Sequence, residues 1–233
     1  MIPWLGTRPA FPPVEQALIE PNGLLAAGGS LTPAWLLEAY SHGVFPWYSD
    51  GEPILWWSPE PRLILKPEGI KVSRSLAKVL RNGRFEVRFD TSFAAVVSEC
   101  AGPRGGVAGT WITREIHAAY CRMHELGYAH SVESWQDGRL VGGLYGIALG
   151  RFFFGESMFS RLSDASKVAL VHLCRYLEAR EFGVIDCQMT TPHLVSMGAH
   201  EVSRKRFKAL LAEYQQGGDP PGRWPRTGLA AER

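Results

Sequence analysis

No run of about 18 consecutive apolar residues occurs in the 233-residue chain, which excludes a membrane-spanning helix by length alone. The opening residues, Met1-Ile-Pro-Trp-Leu-Gly-Thr-Arg-Pro9, lack a basic stretch followed by an apolar one, so an unexported, soluble, cytoplasmic protein is expected. Charge of one sign is not in excess either. The formal net charge is +2, and any polyanionic partner must therefore be held by a local patch rather than by the whole surface. Cysteine is scarce: Cys100, Cys121, Cys174 and Cys187 show neither CxxC spacing nor a framework pattern, and each is expected as a small buried hydrophobe in a reducing compartment. HExxH and GxSxG are both missing, which argues against metal-dependent and serine-hydrolase chemistry. The glycine-rich Gly102–Gly109 lacks the Lys-Ser/Thr of a P-loop and the order of a dinucleotide turn, and is expected as a mobile loop.

What is present is enough apolar residue, 45% of the chain, to bury a sizeable core. Residues 1–61 are rich in proline, glycine and tryptophan and hold one clear helix, with Thr32 as N-cap, Pro33 at its first position and Gly43 just past its end. From residue 62 onward, strand-like and helix-like segments alternate. Extended stretches are expected at 62–66, 85–89, 129–136, 139–149, 151–154 and 182–190, with helices at 73–80, 91–100, 114–126, 166–180 and 203–214. Asp137-Gly138 marks a hairpin turn. The residues after Gln215 are expected to be loop or frayed. Helices flanking a central set of hairpin strands argue for an α+β domain preceded by a small N-terminal domain.

Four stretches carry chemical interest. Phe182–Thr190 is a buried strand in which alternation places Val184, Asp186 and Gln188 on one face and Ile185, Cys187 and Met189 on the other. A carboxylate in such a strand implies a polar network or a working cleft. Phe152-Phe-Phe-Gly-Glu-Ser-Met-Phe-Ser160 reads as an apolar strand running into a Gly-Glu turn, with Glu156 either a surface acid or the anionic end of an apolar pocket. Residues 44–48 and 54–59 concentrate aromatics that fill cores or stack on bases. Arg74, Lys78 and Arg81 fall on one face of a short helix, with Arg84 after it; like charges so placed suit an external polyanion or a solvated face.

Pro21–Gly29, Gly43-Val-Phe-Pro-Trp47, Leu55-Trp-Trp-Ser-Pro59, Gly109-Thr-Trp-Ile-Thr113, Leu140–Gly146, Gly155–Ser160 and Ile185-Asp-Cys-Gln188 occur in order. With these seven motifs in register over nearly the whole chain, the sequence closely resembles the leucyl/phenylalanyl-tRNA–protein transferase family. The resemblance implies a small N-terminal domain (1–61) and a GNAT-like acyltransferase domain (62–233) with a mixed, largely antiparallel sheet flanked by helices. It implies transfer of Leu or Phe, with Met a further candidate, from aminoacyl-tRNA to the α-amine of proteins beginning with Arg or Lys, marking them for N-degron degradation. No cofactor or metal is implied, and a monomer is expected.

Residue by residue, the resemblance makes Asp186 and Gln188 the catalytic pair. Gln188 would orient the amine, and Asp186 would hold the amide and stabilise developing positive charge. Glu156 would meet the acceptor's basic side chain or order the catalytic strand. Leu144, Phe153, Met158, Ile185 and Ser196 would surround the transferred side chain, Trp47 and Trp111 would lie near the terminal adenosine, and Arg74, Lys78, Arg81 and Arg84 would contact the tRNA backbone. Two alternatives stay open at this level. An acyl-CoA-dependent GNAT enzyme would need a Q/R-x-x-G-x-G/A turn, of which no convincing copy is found. A non-catalytic tRNA-binding protein would leave the polar strand unexplained.

Overall fold

The protein is described from a computed structural model covering residues 2–102 and 111–227; all but the first residue of the glycine-rich loop lies outside the described residues. The N-terminal part comprises β1 (Trp4–Leu5), β2 (Leu24–Gly28), α1 (Pro33–Ser41), β3 (Phe45–Pro46) and β4 (Leu55–Trp57). Its four strands form a sheet in the order β1-β2-β4-β3. Pro33 begins α1 and Gly43, at φ 71°, follows its end, as the sequence leads one to expect.

The remainder comprises β5 (Arg62–Leu65), α2 (Arg74–Arg81), β6 (Glu86–Phe89), α3 (Phe93–Cys100), α4 (Arg114–Glu125), β7 (Ala129–Gln136), β8 (Arg139–Leu149), β9 (Phe152–Ser160), α5 (Ala165–Glu178), β10 (Val184–Gln188), α6 (Pro192–Ser196), β11 (His200–Val202) and α7 (Arg204–Tyr214). Seven strands line up as β11-β5-β10-β9-β8-β7-β6. Every neighbour pair is antiparallel except β9 and β10, which run parallel and are joined by α5. This mixed, largely antiparallel sheet is the α+β architecture expected, and it is consistent with a GNAT-like fold. The β7–β8 hairpin turns at Asp137 and Gly138, both at positive φ.

Two features of the chain matter for the site, the first of them a departure from the expected elements. Gly155-Glu156 is no turn: β9 continues through it to Ser160, and its pairing with β8 skips Glu156. A bulge that leaves one residue unpaired re-aims its side chain without ending the strand. The second is the tail, which is loop as expected but is fastened over its described part. Gln215 donates to the carbonyls of Tyr40 and Ser41, the Phe89 amide donates to the Arg226 carbonyl, and Trp224 stacks on His130 at 3.9 Å.

The sheet separates two sets of core side chains. On one face, Phe152, Phe154, Val184 and Tyr145 pack with α1, α3, α4 and α7; on the other, Phe153, Leu144 and Ile185 pack with α5. All four cysteines are free thiols, and no described helix is long and apolar enough to cross a membrane.

Candidate active site

Parallel β9 and β10 pair at Val184–Phe152, Ile185–Phe153 and Asp186–Phe154, and the register ends there. Beyond that point Glu156 and Gln188 stand at the edge of a cavity of about 360 Å³. Its apolar wall is built from Leu144 (β8), Phe153 and Met158 (β9), Ile185 (β10) and, from the helix crossing beneath, Leu170 and Leu173 (α5). The last two come from α5, whose apolar face was legible although its part in a pocket was not. Trp47 and Trp111 line the cavity together with Phe45 and Pro46, and both also line an adjoining groove. The Trp57 indole fixes Trp47 by donating to its carbonyl at 2.6 Å and packing against its ring at 5.4 Å.

Strand β10 departs from strict alternation. β10 carries a bulge whose pairing with β5 skips Cys187, and Gln188 takes a positive φ of 61°. Such backbone is uncommon outside glycine and concentrates at functional positions. As a result Cys187 and Gln188 both line the cavity with Ile185, while Asp186 is fully buried away from it. Asp186 is held by Arg62 in a two-pronged pair, Nε to Oδ1 at 2.8 Å and Nη2 to Oδ2 at 2.6 Å. The guanidinium lies over Phe45 and Phe207, 5.0 and 4.5 Å from their centroids. Asp186 does not hold the Gln188 amide as expected. It accepts the Gln188 backbone N–H at 2.9 Å and so fixes the left-handed residue rather than its side chain. Arg62 balances its charge, which removes most of its reach toward a distant cation.

The Gln188 amide is held instead by Glu156: Nε2 donates to Oε1 at 3.3 Å. Glu156 is 8% exposed and also accepts from Tyr40 (2.6 Å, Oε1) and Tyr120 (2.9 Å, Oε2), whose hydroxyls contact each other. Burial raises its pKa to about 7, opposed by the tyrosine and Gln188 hydrogen bonds and assisted by the Asp186 charge. Tyr40 and Tyr120 are pushed well above the ordinary tyrosine range, chiefly by burial and then by the Glu156 charge, so both keep their protons. No local sequence signal links these three residues, which come from α1, α4 and β9.

Ser196 ends α6, is exposed and bonds the His193 carbonyl; it is not on the cavity wall, which α6 reaches through His193 and Leu194. Arg74, Lys78 and Arg81 lie exposed along α2, Arg84 follows, and among the described residues none of the four forms an ion pair. Ser73 caps the helix by accepting from the Leu76 amide, and Leu76 anchors it to the core.

An apolar pocket bounded by indoles, with an amide and a buried carboxyl of raised pKa on its wall, is suited to holding an apolar side chain beside polar chemistry. The model of the family described as leucyl/phenylalanyl-tRNA protein transferase matches residues 64–212, and that of the family's N-terminal domain matches residues 29–60. A leucyl/phenylalanyl-tRNA–protein transferase of Azoarcus sp. (strain BH72) is 73% identical over 99% of this chain and 98% of its own. Those of Aromatoleum aromaticum and Chromobacterium violaceum are 67% and 59% identical, each over 96% of this chain and over 94% and 96% of their own. The solved structure of L-PGS from Bacillus licheniformis aligns over 81% of this chain and 59% of its own at 9% identity and a TM-score of 0.37, too low to bear on fold or function. The chain belongs to the leucyl/phenylalanyl-tRNA–protein transferase family and is an aminoacyltransferase.

Proposed function

We propose that this enzyme moves Leu or Phe, and Met as a further donor, from aminoacyl-tRNA to the α-amine of proteins beginning with Arg or Lys. It does so as a cytoplasmic monomer, marking those proteins for degradation, and residues 1–61 and 62–233 act as its two domains. The observation that carries this reading is the single cavity in which an apolar floor, two indoles, the Gln188 amide and the Glu156 carboxyl converge.

The aminoacyl ester is already activated, so the enzyme's work is to hold the carbonyl beside the amine and manage one proton and one oxyanion. Leu144, Phe153, Met158, Ile185, Leu170 and Leu173 take the Leu or Phe side chain, whose burial contributes roughly 1.5–3 kcal/mol. Trp47 and Trp111 receive the terminal adenosine. Arg74, Lys78, Arg81 and Arg84 meet backbone phosphates. Ser196 supports the pocket from α6. The Glu156 carboxylate draws the cationic acceptor end, and Gln188, with its Nε2 engaged by Glu156, uses its oxygen to orient the amine. Asp186 is a positioning residue that acts through the Gln188 backbone.

The test is transfer of radiolabelled Leu from Leu-tRNA to a peptide beginning with Arg, with acetyl-CoA as a competing donor. Wild-type transfer that collapses in Asp186→Ala and Gln188→Ala, with tRNA binding retained, is expected. Transfer from acetyl-CoA alone would overturn the reading.

A further inference from the structure

Peptide-bond formation by a neutral amine needs a group that takes a proton from nitrogen as the C–N bond forms. An amide oxygen is a very poor base, which removes Gln188. Asp186 is fully buried off the cavity and bound on both oxygens by Arg62, which removes it as well. The ionisable side chains on the described cavity wall are Tyr145, Glu156, Cys187 and His193. Cys187 is pushed well up by burial and keeps its proton. His193 is pushed down, by burial first and then by Lys167 of α5, and would hold a proton poorly.

We propose that Glu156 is the proton-transferring residue of the reaction, with Tyr40 and Tyr120 as the pair whose hydrogen bonds keep both its protonated and its ionised form accessible inside the core. The inference rests on the aminoacyl-transfer reading above. Three oxygen-to-oxygen contacts join Glu156, Tyr40 and Tyr120. With the carboxylate ionised, the two hydroxyl protons can fill only two of them. One added proton closes the ring: Oε2–H donates to Tyr120, Tyr120 to Tyr40, and Tyr40 to Oε1, which also accepts from Gln188. The charged groups facing this ring are Asp186 of β10, which opposes ionisation, and its partner Arg62 of β5, while Tyr145 of β8 packs on Tyr120 at 5.5 Å. Because Gln188 donates to the same carboxyl, the acceptor nitrogen that Gln188 orients lies beside the base.

The step balances without a co-reactant. The amine nitrogen forms the C–N bond to the ester carbon and gives one proton to Glu156. As the carbon–oxygen bond to the ribose breaks, that proton goes to the departing ribose oxygen, leaving amide, free tRNA and an ionised Glu156. A glutamine at this position has the shape and hydrogen bonding of the protonated acid.

The experiment is a pH profile of kcat/KM for transfer from Leu-tRNA to a peptide beginning with Arg, for wild type, Glu156→Gln and Tyr120→Phe, with tRNA binding measured in parallel. Expected is a loss in Glu156→Gln of about tenfold or more above pH 8, shrinking until the two enzymes converge below about pH 6, where Glu156 is protonated. Tyr120→Phe removes a hydrogen bond that favours the ionised form, so its convergence point moves to higher pH. A merely structural role of Glu156 would lower the Glu156→Gln rate by one factor at all pH values, and a merely structural role of Tyr120 would leave the pH of convergence with Glu156→Gln unmoved; either result would overturn the proposal. Failure of the wild type to transfer would instead overturn the aminoacyl-transfer reading itself, and the proposal with it.

Discussion

At the scale of single residues, the site keeps one buried carboxyl paired and the other tunable. Asp186 has its cation at hydrogen-bond distance; Glu156 has only neutral donors, and its pKa rises to about 7 from an ordinary 4.5. That difference acts on folding. Between those two values the folded chain holds a proton that the unfolded chain has released, so stability is full below about pH 4.5 and falls as pH rises through 7. The loss amounts to about 3 kcal/mol above pH 7. Glu156→Gln is therefore expected to match wild type in thermal midpoint near pH 4.5 and to exceed it by about 6–12 °C at pH 8 for a chain of this size. Melting curves across that range decide it, and equal midpoints at pH 8 would mean that the carboxyl is better solvated than its surroundings indicate. The same contrast explains what is visible in the sequence. Asp186, Gln188 and Glu156 stand out as polar residues in apolar strands, but Tyr40 lies 116 residues from Glu156 and Tyr120 lies 36 away, and nothing local marks two tyrosines as partners of one acid.

At the scale of elements, periodicity made most of the helices and long strands legible. Of the caps only Thr32 was named from sequence, and it sits at the start of α1 without a side-chain hydrogen bond, whereas Ser73 before α2, Thr113 before α4 and Ser203 before α7 each accept the amide three residues on. The departures fall at bulges. Period-2 alternation cannot reveal that β9 runs on through Gly155 or that β10 turns Gln188 to the cavity while hiding Asp186, because each depends on register with a neighbouring strand. α2 yields a prediction of its own. Its basic face is exposed and without ion pairs among the described residues, so its charges are available to phosphates. Arg74→Ala with Arg81→Ala should weaken tRNA binding and reduce the slope of log K against log salt by about 1.5 to 2, because two fewer phosphates are neutralised. Filter binding from low to moderate salt measures this, and an unchanged slope would place the tRNA elsewhere.

At the scale of the whole molecule, the cavity depends on packing that arrives from far along the chain. Its floor includes Phe153, whose ring meets Trp224 at 5.8 Å; Trp224 also packs on Tyr176 at 4.6 Å and stacks on His130, and its backbone N–H donates to Asp90 at 2.9 Å. Asp90 in turn accepts from the Ser131 amide and pairs with His130. The tail thus closes over the second core from outside, although its proline- and glycine-rich composition reads as loop. Only tertiary partners 48 to 134 residues away reveal that it is fastened. Trp224→Ala should remove this closure. Because the ring is half-buried, the expected cost is about 2 kcal/mol, below that of a fully buried large aromatic, and the thermal midpoint should fall by about 4–8 °C. Loosening Phe153 should also raise KM for aminoacyl-tRNA, while affinity for uncharged tRNA, which leaves the side-chain pocket empty, stays within about twofold. If both tRNA forms weakened together, the tail would be acting on the α2 face rather than on the pocket floor.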